Sequence, residues 1–450
     1  MTEAFNHPAE HLVEEASWVR AVVRSYLIAS GRPVGPDAKD PRALASAFSV
    51  STDEVSRLLE QPTQEPRRTS EVDLLRHRID ARVAASRQNG MRLPLAQLVD
   101  TFGLDELSRQ LLTLALLGEI DDGIRRLYSY AWNDLTRKTP SIEFLLGLLQ
   151  PSMFGKLMNV EAFFGSSPLT AGGLLRPSER TDEGPFLARE VQIAPSVTAF
   201  CLGGEELDPD LALCARVRSA DFSLEPLVLA SNVMNRILRS FSTLGRAGAA
   251  VIVLVGSAGV GKSAIVRRSI PRYIEVDVAS LMRPSSDAED RIFALQRDAR
   301  LLRLPLVIDL AEADDDPQLT PYHRLLARTI DAHPHGAIIM ARDQVSWFVS
   351  LLSQAVVHDL GLPVKAEREH IWRRALIQVG LSATPAALEA ASRFPLTGGS
   401  IERAAQTAVA QVQVEGGPRG SHPQEILEAC RAQLTPRLSG VAQRIVTTFV

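Results

Sequence analysis

The feature that most constrains this chain of 450 residues is the segment Gly256-Ser-Ala-Gly-Val-Gly-Lys-Ser263. It follows the apolar run Ala249–Val255, which has the length of a buried strand, and it precedes a helix predicted over Ala264–Arg268. A glycine-rich turn between a strand and a helix presents backbone N–H groups to phosphates. The sequence therefore predicts a phosphate-binding loop. The strand and helix on either side disfavour the alternative, a glycine-rich turn that binds no nucleotide.

The residues of this loop have separate predicted roles. We expect the nucleotide to be held by Gly256, Ser257, Ala258, Gly259, Val260, Gly261, Lys262, Ser263 and Ala264. The Lys262 ammonium would reach the β- and γ-phosphates, which makes it a catalytic candidate as well. The Ser263 hydroxyl would ligate Mg²⁺.

A metal held in this way also needs an acidic group. Asp309 supplies one, as the second-to-last residue of the predicted strand Leu306–Leu310. Asp309 would accept hydrogen bonds from metal-bound water; the alternative is an Asp that only caps the next turn. A catalytic Glu commonly follows such an Asp, but residue 310 is Leu. Glu312 is the catalytic candidate for orienting the attacking water. The alternative interpretation is that residues 312–316 form a solvated acidic loop.

The pattern around the loop is typical of an α/β fold. Short apolar segments alternate with helical stretches, which predicts a parallel sheet with crossover helices. Strands are predicted over Ala249–Val255, Tyr273–Val278, Leu306–Leu310, Ala337–Ala341 and Ala355–Leu360. Four further helices are predicted over Glu367–Val379, Pro385–Arg393, Ser400–Val412 and Pro423–Leu434. Residues 241–363 are thus predicted to form a nucleotide-binding α/β domain, and residues 364–450 an all-helical lid.

The part of the chain before residue 241 has a mainly helical pattern. An amphipathic helix is predicted from Glu71 to Arg87, and the leucine-rich stretch from Leu93 to Leu149 indicates a helical bundle or a winged-helix-like module. We divide this part into a helical segment 1–62, a winged-helix-like domain 63–150 and a connecting region 151–240. The predicted fold class is therefore a multidomain chain with a helical N-terminal region and an α/β P-loop module.

Composition excludes several other classes of protein. Three cysteines cannot build a disulfide framework, and the longest apolar run is far shorter than the roughly 20 residues of a membrane span. The polar and acidic N-terminus is unlike a secretory signal. Residues 1–240 carry 26 Lys and Arg against 32 Asp and Glu, an unfavourable balance for binding a nucleic-acid backbone. We expect a cytoplasmic protein without membrane contacts, and we do not expect nucleic acid among its partners.

The order of these motifs resembles the AAA+ ATPase module: a phosphate loop, a strand ending in Asp, two further strands and a helical lid. The resemblance implies ATP and Mg²⁺ as cofactors. It also implies a nucleotide-sensing lid arginine, for which Arg403 is the candidate; the alternative is an ordinary arginine on the helix surface. The polar sensor after the fourth strand would fall near Arg342–Gln344, where Asn or Thr is usual. Residues 343–367 contain no arginine that could act as a finger toward a neighbouring subunit.

Further segments are similar to those of the AAA+ ATPases associated with extracellular, phage-tail-like contractile injection systems. These segments are Phe102–Ala115, Gly118–Asp121, Leu127–Tyr130, Asn133–Ser141, Phe186–Gly203 and Leu207–Pro209. The similarity covers residues 100–450. Those ATPases resemble tandem proteins, with a second AAA+ module after a segment like Ala429–Val450. The resemblance therefore implies that this chain corresponds to the N-terminal region and the first module, as a short form or as a fragment.

Two functions follow from the resemblance and the residues. In the first, the chain is an ATPase that forms a homo-oligomer, a hexameric ring, and remodels or assembles a protein partner among injection-system components. In the second, it is a nucleotide-gated scaffold or adaptor with little or no hydrolysis, as the Leu at position 310 favours. DNA binding through the winged-helix-like region is a third, weaker hypothesis, because residues 1–240 are acidic.

Overall fold

The computed structural model describes residues 3–30, 70–132, 139–177, 185–223, 227–246, 251–283, 287–311, 313, 316–342, 346–414 and 423–438. The chain divides into two compact units. The N-terminal unit contains Met1–Asp210 and Phe293–Leu302, and the P-loop unit contains Leu211–Ile292 and Arg303–Val450. Apolar segments of the sequence between residues 43 and 59, predicted to be helical, lie outside the described residues. The five-segment division given above stays a prediction.

The N-terminal unit consists mainly of helices with one small antiparallel pair of strands. Its helices are α1 (Pro8–Ala29), α2 (Ser70–Gln88), α3 (Pro94–Phe102), α4 (Glu106–Ile120), α5 (Asp122–Ala131), α6 (Ile142–Leu149), α7 (Met153–Asn159), α8 (Pro168–Ala171) and α9 (Pro195–Cys201). Strands β1 (Leu175–Pro177) and β2 (Val191–Ile193) pair with Leu175 opposite Ile193. A helical unit with a short hairpin-like pair is the winged-helix-like arrangement that the sequence indicated.

Local sequence explains where these helices begin and what they bury. Asp105 caps α4 by accepting a hydrogen bond from the Ser108 N–H at 2.8 Å, as an N-cap Asp does. Gly103 adopts the left-handed conformation that ends α3. Helix α4 is apolar on nearly every side: the side chains of Leu111, Leu112, Leu114 and Leu116 are all fully buried. A helix that is apolar all round belongs in the centre of a core, and here it forms the core of the N-terminal unit.

The P-loop unit combines a sheet, its crossover helices and a helical lid. Its strands are β3 (Ala215–Ser219), β4 (Val251–Val255), β5 (Arg272–Asp277), β6 (Leu306–Asp309), β7 (Ala337–Ala341) and β8 (Ala355–Asp359). Its helices are α10 (Ser231–Phe241), α11 (Lys262–Ser269), α12 (Val278–Leu281), α13 (Ala288–Leu302, of which residues 293–302 belong to the N-terminal unit), α14 (Thr320–Asp331), α15 (Ser346–Val349), α16 (Lys365–Gln378), α17 (Pro385–Ser392), α18 (Gly398–Val414) and α19 (Pro423–Leu438).

The sheet has the strand order β3-β5-β6-β7-β4-β8. The five predicted strands are parallel, but β3 adds an antiparallel edge to β5, so the sheet is mixed rather than wholly parallel. Residues 215–219 lie in the predicted connecting region 151–240, and no strand was predicted there. Tertiary contacts explain the strand: Glu275 of β5 binds Arg216 at 2.9 Å and Arg218 at 3.0 Å across the pair.

The lid is a bundle of α16 to α19 with its own apolar core, which includes the fully buried Trp372 and Leu376. Each of its four helices lies within two residues of the predicted starts and within four of the predicted ends. None of the helices in the described ranges is both long enough and apolar enough to cross a membrane.

Two buried groups of charges lie within the N-terminal unit. Arg76 of α2 donates to both carboxylate oxygens of Glu15 on α1, at 2.8 and 2.9 Å. Arg297, whose side chain is fully buried, donates to Asp208 at 2.5 Å and to Asp298 at 2.8 Å. Its remaining nitrogen donates to the Gly173 carbonyl at 3.0 Å. Charges buried to this extent are tolerated only when paired, so both groups fix the packing of the elements they join.

Candidate nucleotide-binding site

The phosphate loop connects a strand in the middle of the sheet to a helix, as the motif requires. Strand β4 pairs in parallel with β7 on one side and β8 on the other, and its first four residues are buried. The loop is therefore held at the carboxyl edge of a sheet, where parallel α/β folds bind their ligands.

Glycines allow this loop to take a path that other residues would block. Gly259 and Gly261 have φ angles of +80° and +113°, which L side chains rarely adopt. A Cβ at Gly261 would lie 2.6 Å from the Leu227 side chain, and one at Gly259 would lie 2.9 Å from Thr397 Oγ1. The open backbone cradle of the loop is thus the kind of surface that fits phosphate groups.

The predicted phosphate-binding lysine and metal-binding serine occupy the first turn of α11. The Lys262 ammonium folds back across the loop and donates to the Gly256 carbonyl at 2.5 Å and to the Ser257 carbonyl at 3.3 Å. The Ser263 hydroxyl lies 3.6 Å from the Met340 sulfur of β7, a weak acceptor. Lys262 thus contacts the loop backbone and Ser263 contacts β7, through partners that a stronger ligand can replace.

Asp309 ends β6 on the same edge of the sheet. It is in register with Met340 of β7, which is in turn in register with Leu254 of β4, so the acid lies two strands from the loop-bearing strand. Burial raises the pKa of Asp309, while its hydrogen bond from the Ala311 N–H at 2.9 Å and the charge of Lys262 lower it. Because Ser263 contacts Met340 and Met340 is in register with Asp309, the serine, the lysine that directly precedes it and the acid lie at the same edge of the sheet.

A second acid, which no motif in the sequence indicated, lies at this edge of the sheet. Asp277 ends β5 in register with Asp309, and its charge also raises the pKa of Asp309, although less than burial does. Its carboxylate caps α12 by accepting hydrogen bonds from the Ala279 N–H at 3.1 Å and the Ser280 hydroxyl at 2.7 Å. The sequence could have indicated Asp277 as a polar residue near the end of a predicted strand. Only the register between β5 and β6 shows that the two acids are neighbours.

The residue directly after Asp309 is a buried leucine. Leu310 is 2% exposed, and its N–H donates to the Met340 carbonyl at 3.0 Å. Glu312, the candidate for orienting water, lies outside the described residues, so that role stays a prediction.

The lid contacts the phosphate loop through the start of α18. The buried Thr397 hydroxyl donates to the Ala258 carbonyl at 3.1 Å, and the Gly399 N–H donates to the Gly259 carbonyl at 2.8 Å. These two hydrogen bonds join lid and loop backbone directly. No motif in the sequence singled out Thr397, because a threonine before a helix reads as an ordinary cap.

Arg403 lies one turn into α18 and is exposed. Its guanidinium donates to the Ser400 hydroxyl at 3.2 Å and to the Gln433 side chain at 3.4 Å. Arg403 lies near Gly399, which contacts the loop. Within the described part of the chain, Arg403 forms no hydrogen bond with a residue of the loop. Its nucleotide-sensing role stays a prediction.

Two apolar residues that the sequence did not indicate also border the loop. Leu227 packs over Gly261, and Leu360 follows β8 with its N–H bonded to the Val255 carbonyl at 2.8 Å.

The predicted sensor segment Arg342–Gln344 is described only in part. Arg342 is exposed after β7, and residues 343–345 lie outside the described residues.

Comparison with known proteins gives matches at both ends of the chain. Residues 1–215 match the family model of the winged helix domain, variant, and residues 365–436 match that of the contractile injection system ATPase helical domain. None of the curated proteins compared with the chain matches it. Among solved structures, the FIGL-1 AAA domain in complex with ADP is similar at 16% identity and a TM-score of 0.38, over 51% of this chain and 92% of that one. That TM-score is too low for the likeness to carry a conclusion. The match over residues 365–436 confirms the predicted resemblance of the lid to the ATPases of contractile injection systems, and the match over residues 1–215 confirms the winged-helix-like character predicted for the N-terminal region.

Proposed function

We propose that the chain binds ATP with Mg²⁺ at the phosphate loop, and that binding and hydrolysis drive remodelling or assembly of a protein partner in a contractile injection system. The observation that carries the proposal is the convergence of Lys262, Ser263 and Asp309 at one edge of the sheet. The matched helical domain at residues 365–436 supports the injection-system context.

The residues present fit a nucleotide and a divalent cation. The loop backbone and the Lys262 ammonium would hold the phosphates, and Ser263 and Asp309 would hold the cation and its water. When bound, the cation neutralises charge that develops on the phosphate oxygens. The protein itself positions the reacting groups. The loop fixes the phosphates, and Lys262 exchanges its two carbonyl partners for phosphate oxygens.

Homo-oligomerisation belongs to the same proposal. We infer a homo-oligomeric ring, a hexamer, in which nucleotide state changes the contact between lid and loop made by Thr397 and Gly399. The protein partners are injection-system components, and nucleic acid is not among them.

Equilibrium binding of a fluorescent ATP analogue, followed by phosphate release, tests the proposal. Lys262→Ala should weaken binding at least about 100-fold, because it removes a charge-assisted contact to phosphate. Lys365→Ala is the matched control, because this lid lysine is half-exposed and pairs with Glu369 at 3.8 Å. Asp309→Ala should keep nucleotide binding but lose its dependence on Mg²⁺. Equal binding by wild type and Lys262→Ala would exclude the proposal.

One observation favours the second function, a nucleotide-gated scaffold with little hydrolysis. The residue after Asp309 is a buried leucine, so the position that commonly supplies the catalytic Glu cannot orient water. A scaffold would bind ATP tightly and release phosphate at the background rate, whereas rapid turnover that is lost in Asp309→Ala would exclude it.

A further inference from the structure

The N-terminal unit carries an apolar surface that nothing in the P-loop chemistry uses. Helix α7 exposes four of its seven side chains to solvent: Met153 by 56%, Phe154 by 71%, Leu157 by 54% and Met158 by 60%. The rings of Phe164 and Phe186, 47% and 37% exposed, touch each other with centroids 5.8 Å apart. We call these six residues the α7 surface.

The helix that carries this surface is well defined. The Ser152 hydroxyl accepts a hydrogen bond from the Gly155 N–H at 3.0 Å and caps its start. The Asn159 side chain donates to the Gly155 carbonyl at 2.8 Å near its end. Because both ends are held, the exposed side chains are a fixed feature of the fold rather than the product of an unravelled turn.

The size of the surface separates it from the scattered exposed apolar residues of most proteins. Taking about 200 Å² for a fully exposed aromatic side chain and slightly less for Met and Leu, the exposed fractions amount to roughly 600 Å². That is at the upper end of the roughly 300–600 Å² of the largest patch on a typical monomer. Two such surfaces pressed together would bury about 1,200 Å², the lower limit of a stable specific interface.

Among the residues that the structure describes, the charges beside the surface balance. Lys156 turns toward Glu143 at 3.2 Å, Glu161 is exposed, and the Arg189 guanidinium lies 5.6 Å from the Phe186 ring. A symmetric dimer places every residue of a patch opposite the same patch, so a strongly charged patch would repel its copy, whereas a balanced one does not.

We propose that the α7 surface is the contact through which a second copy of this chain binds, in a two-fold symmetric dimer of N-terminal units. The contact uses no residue of the phosphate loop. It therefore forms without nucleotide and is independent of the proposed ATPase function.

Sedimentation velocity of the full chain without nucleotide, over a range of concentrations, tests the proposal. Wild type should pass from monomer to dimer, and Phe154→Glu should raise the dissociation constant at least about 10-fold, as expected at the centre of an interface. Leu74→Glu is the matched control, because Leu74 lies on α2 of the same unit and is 68% exposed. Unchanged circular dichroism would show that both variants fold.

Self-cross-linking gives an independent measurement. The three natural cysteines are buried, so a single introduced cysteine dominates the reaction. Leu157→Cys should form a covalent dimer with a short bis-maleimide, because a two-fold contact brings residue 157 near its own copy, whereas Leu74→Cys should not. A wild-type chain that stays monomeric at all concentrations would overturn the proposal, including one whose α7 surface binds lipid vesicles. A dimer that Phe154→Glu leaves intact would overturn it too.

Discussion

The contact between lid and phosphate loop gives the sharpest test of the site. The Thr397 side chain is buried, and its hydroxyl donates to the Ala258 carbonyl at 3.1 Å and accepts from the Ser400 N–H at 3.3 Å. Thr397→Val keeps the size of the side chain but removes these hydrogen bonds and the one between the Thr397 and Ser400 hydroxyls at 2.9 Å. A neutral hydrogen bond contributes about 0.5–1.5 kcal/mol, and a buried group left unpaired costs about 1–3 kcal/mol. We therefore expect the free energy of unfolding of the P-loop unit to fall by about 2 kcal/mol.

Calorimetry of the full chain measures this loss. For a unit of this size about 2 kcal/mol corresponds to a decrease in Tm of about 4–8 °C. We expect nucleotide to raise the Tm of the transition that belongs to the P-loop unit, because a ligand stabilises the unit that binds it. Thr407→Val is the control: Thr407 lies in α18, the helix that directly follows Thr397, and its hydroxyl donates to the Arg403 carbonyl one turn earlier at 3.0 Å. A Tm for Thr397→Val equal to that of wild type, or an equal decrease in the control, would refute the reasoning.

Three further predictions concern single residues. Arg297→Met should cost the N-terminal unit about 3–5 kcal/mol in denaturant unfolding, because it leaves buried carboxylates unpaired; a loss below about 1 kcal/mol would contradict this. Burial acts to raise the pKa of Glu15, but hydrogen bonds from His11 and Arg76 hold it lower, at about 2. Glu15 therefore contributes roughly 3 kcal/mol to the free energy of unfolding above pH 4.5, and this contribution is lost as the pH falls toward 2. The free energy of unfolding of the Glu15→Gln variant should not show that loss. Gly259→Ala should weaken binding of a fluorescent ATP analogue at least about 10-fold, since its φ is +80° and its Cβ would lie 2.9 Å from Thr397 Oγ1; unchanged affinity would show that the loop relaxes.

Much of the site was predictable because the information is local. The glycines, Lys262 and Ser263 lie within eight residues, and the apolar run before them is typical of a buried strand. The lid helices were likewise predicted from the local pattern of the sequence. The structure confirms the fold class on these elements and corrects it at β3, whose pairing depends on Glu275, some 60 residues away in sequence.

What the sequence alone determined is the presence of a phosphate loop between a strand and a helix, and a helical lid after the sheet. What only the tertiary structure decided is which groups surround that loop. Leu227, which precedes the loop in sequence, and Thr397, which follows it, both contact the loop. Asp277 becomes the neighbour of Asp309 only through the order of the parallel strands. The physical reason is the same in each case: strand order and burial are properties of the packed chain, and residues far apart in sequence carry no local signal of the partner they will meet.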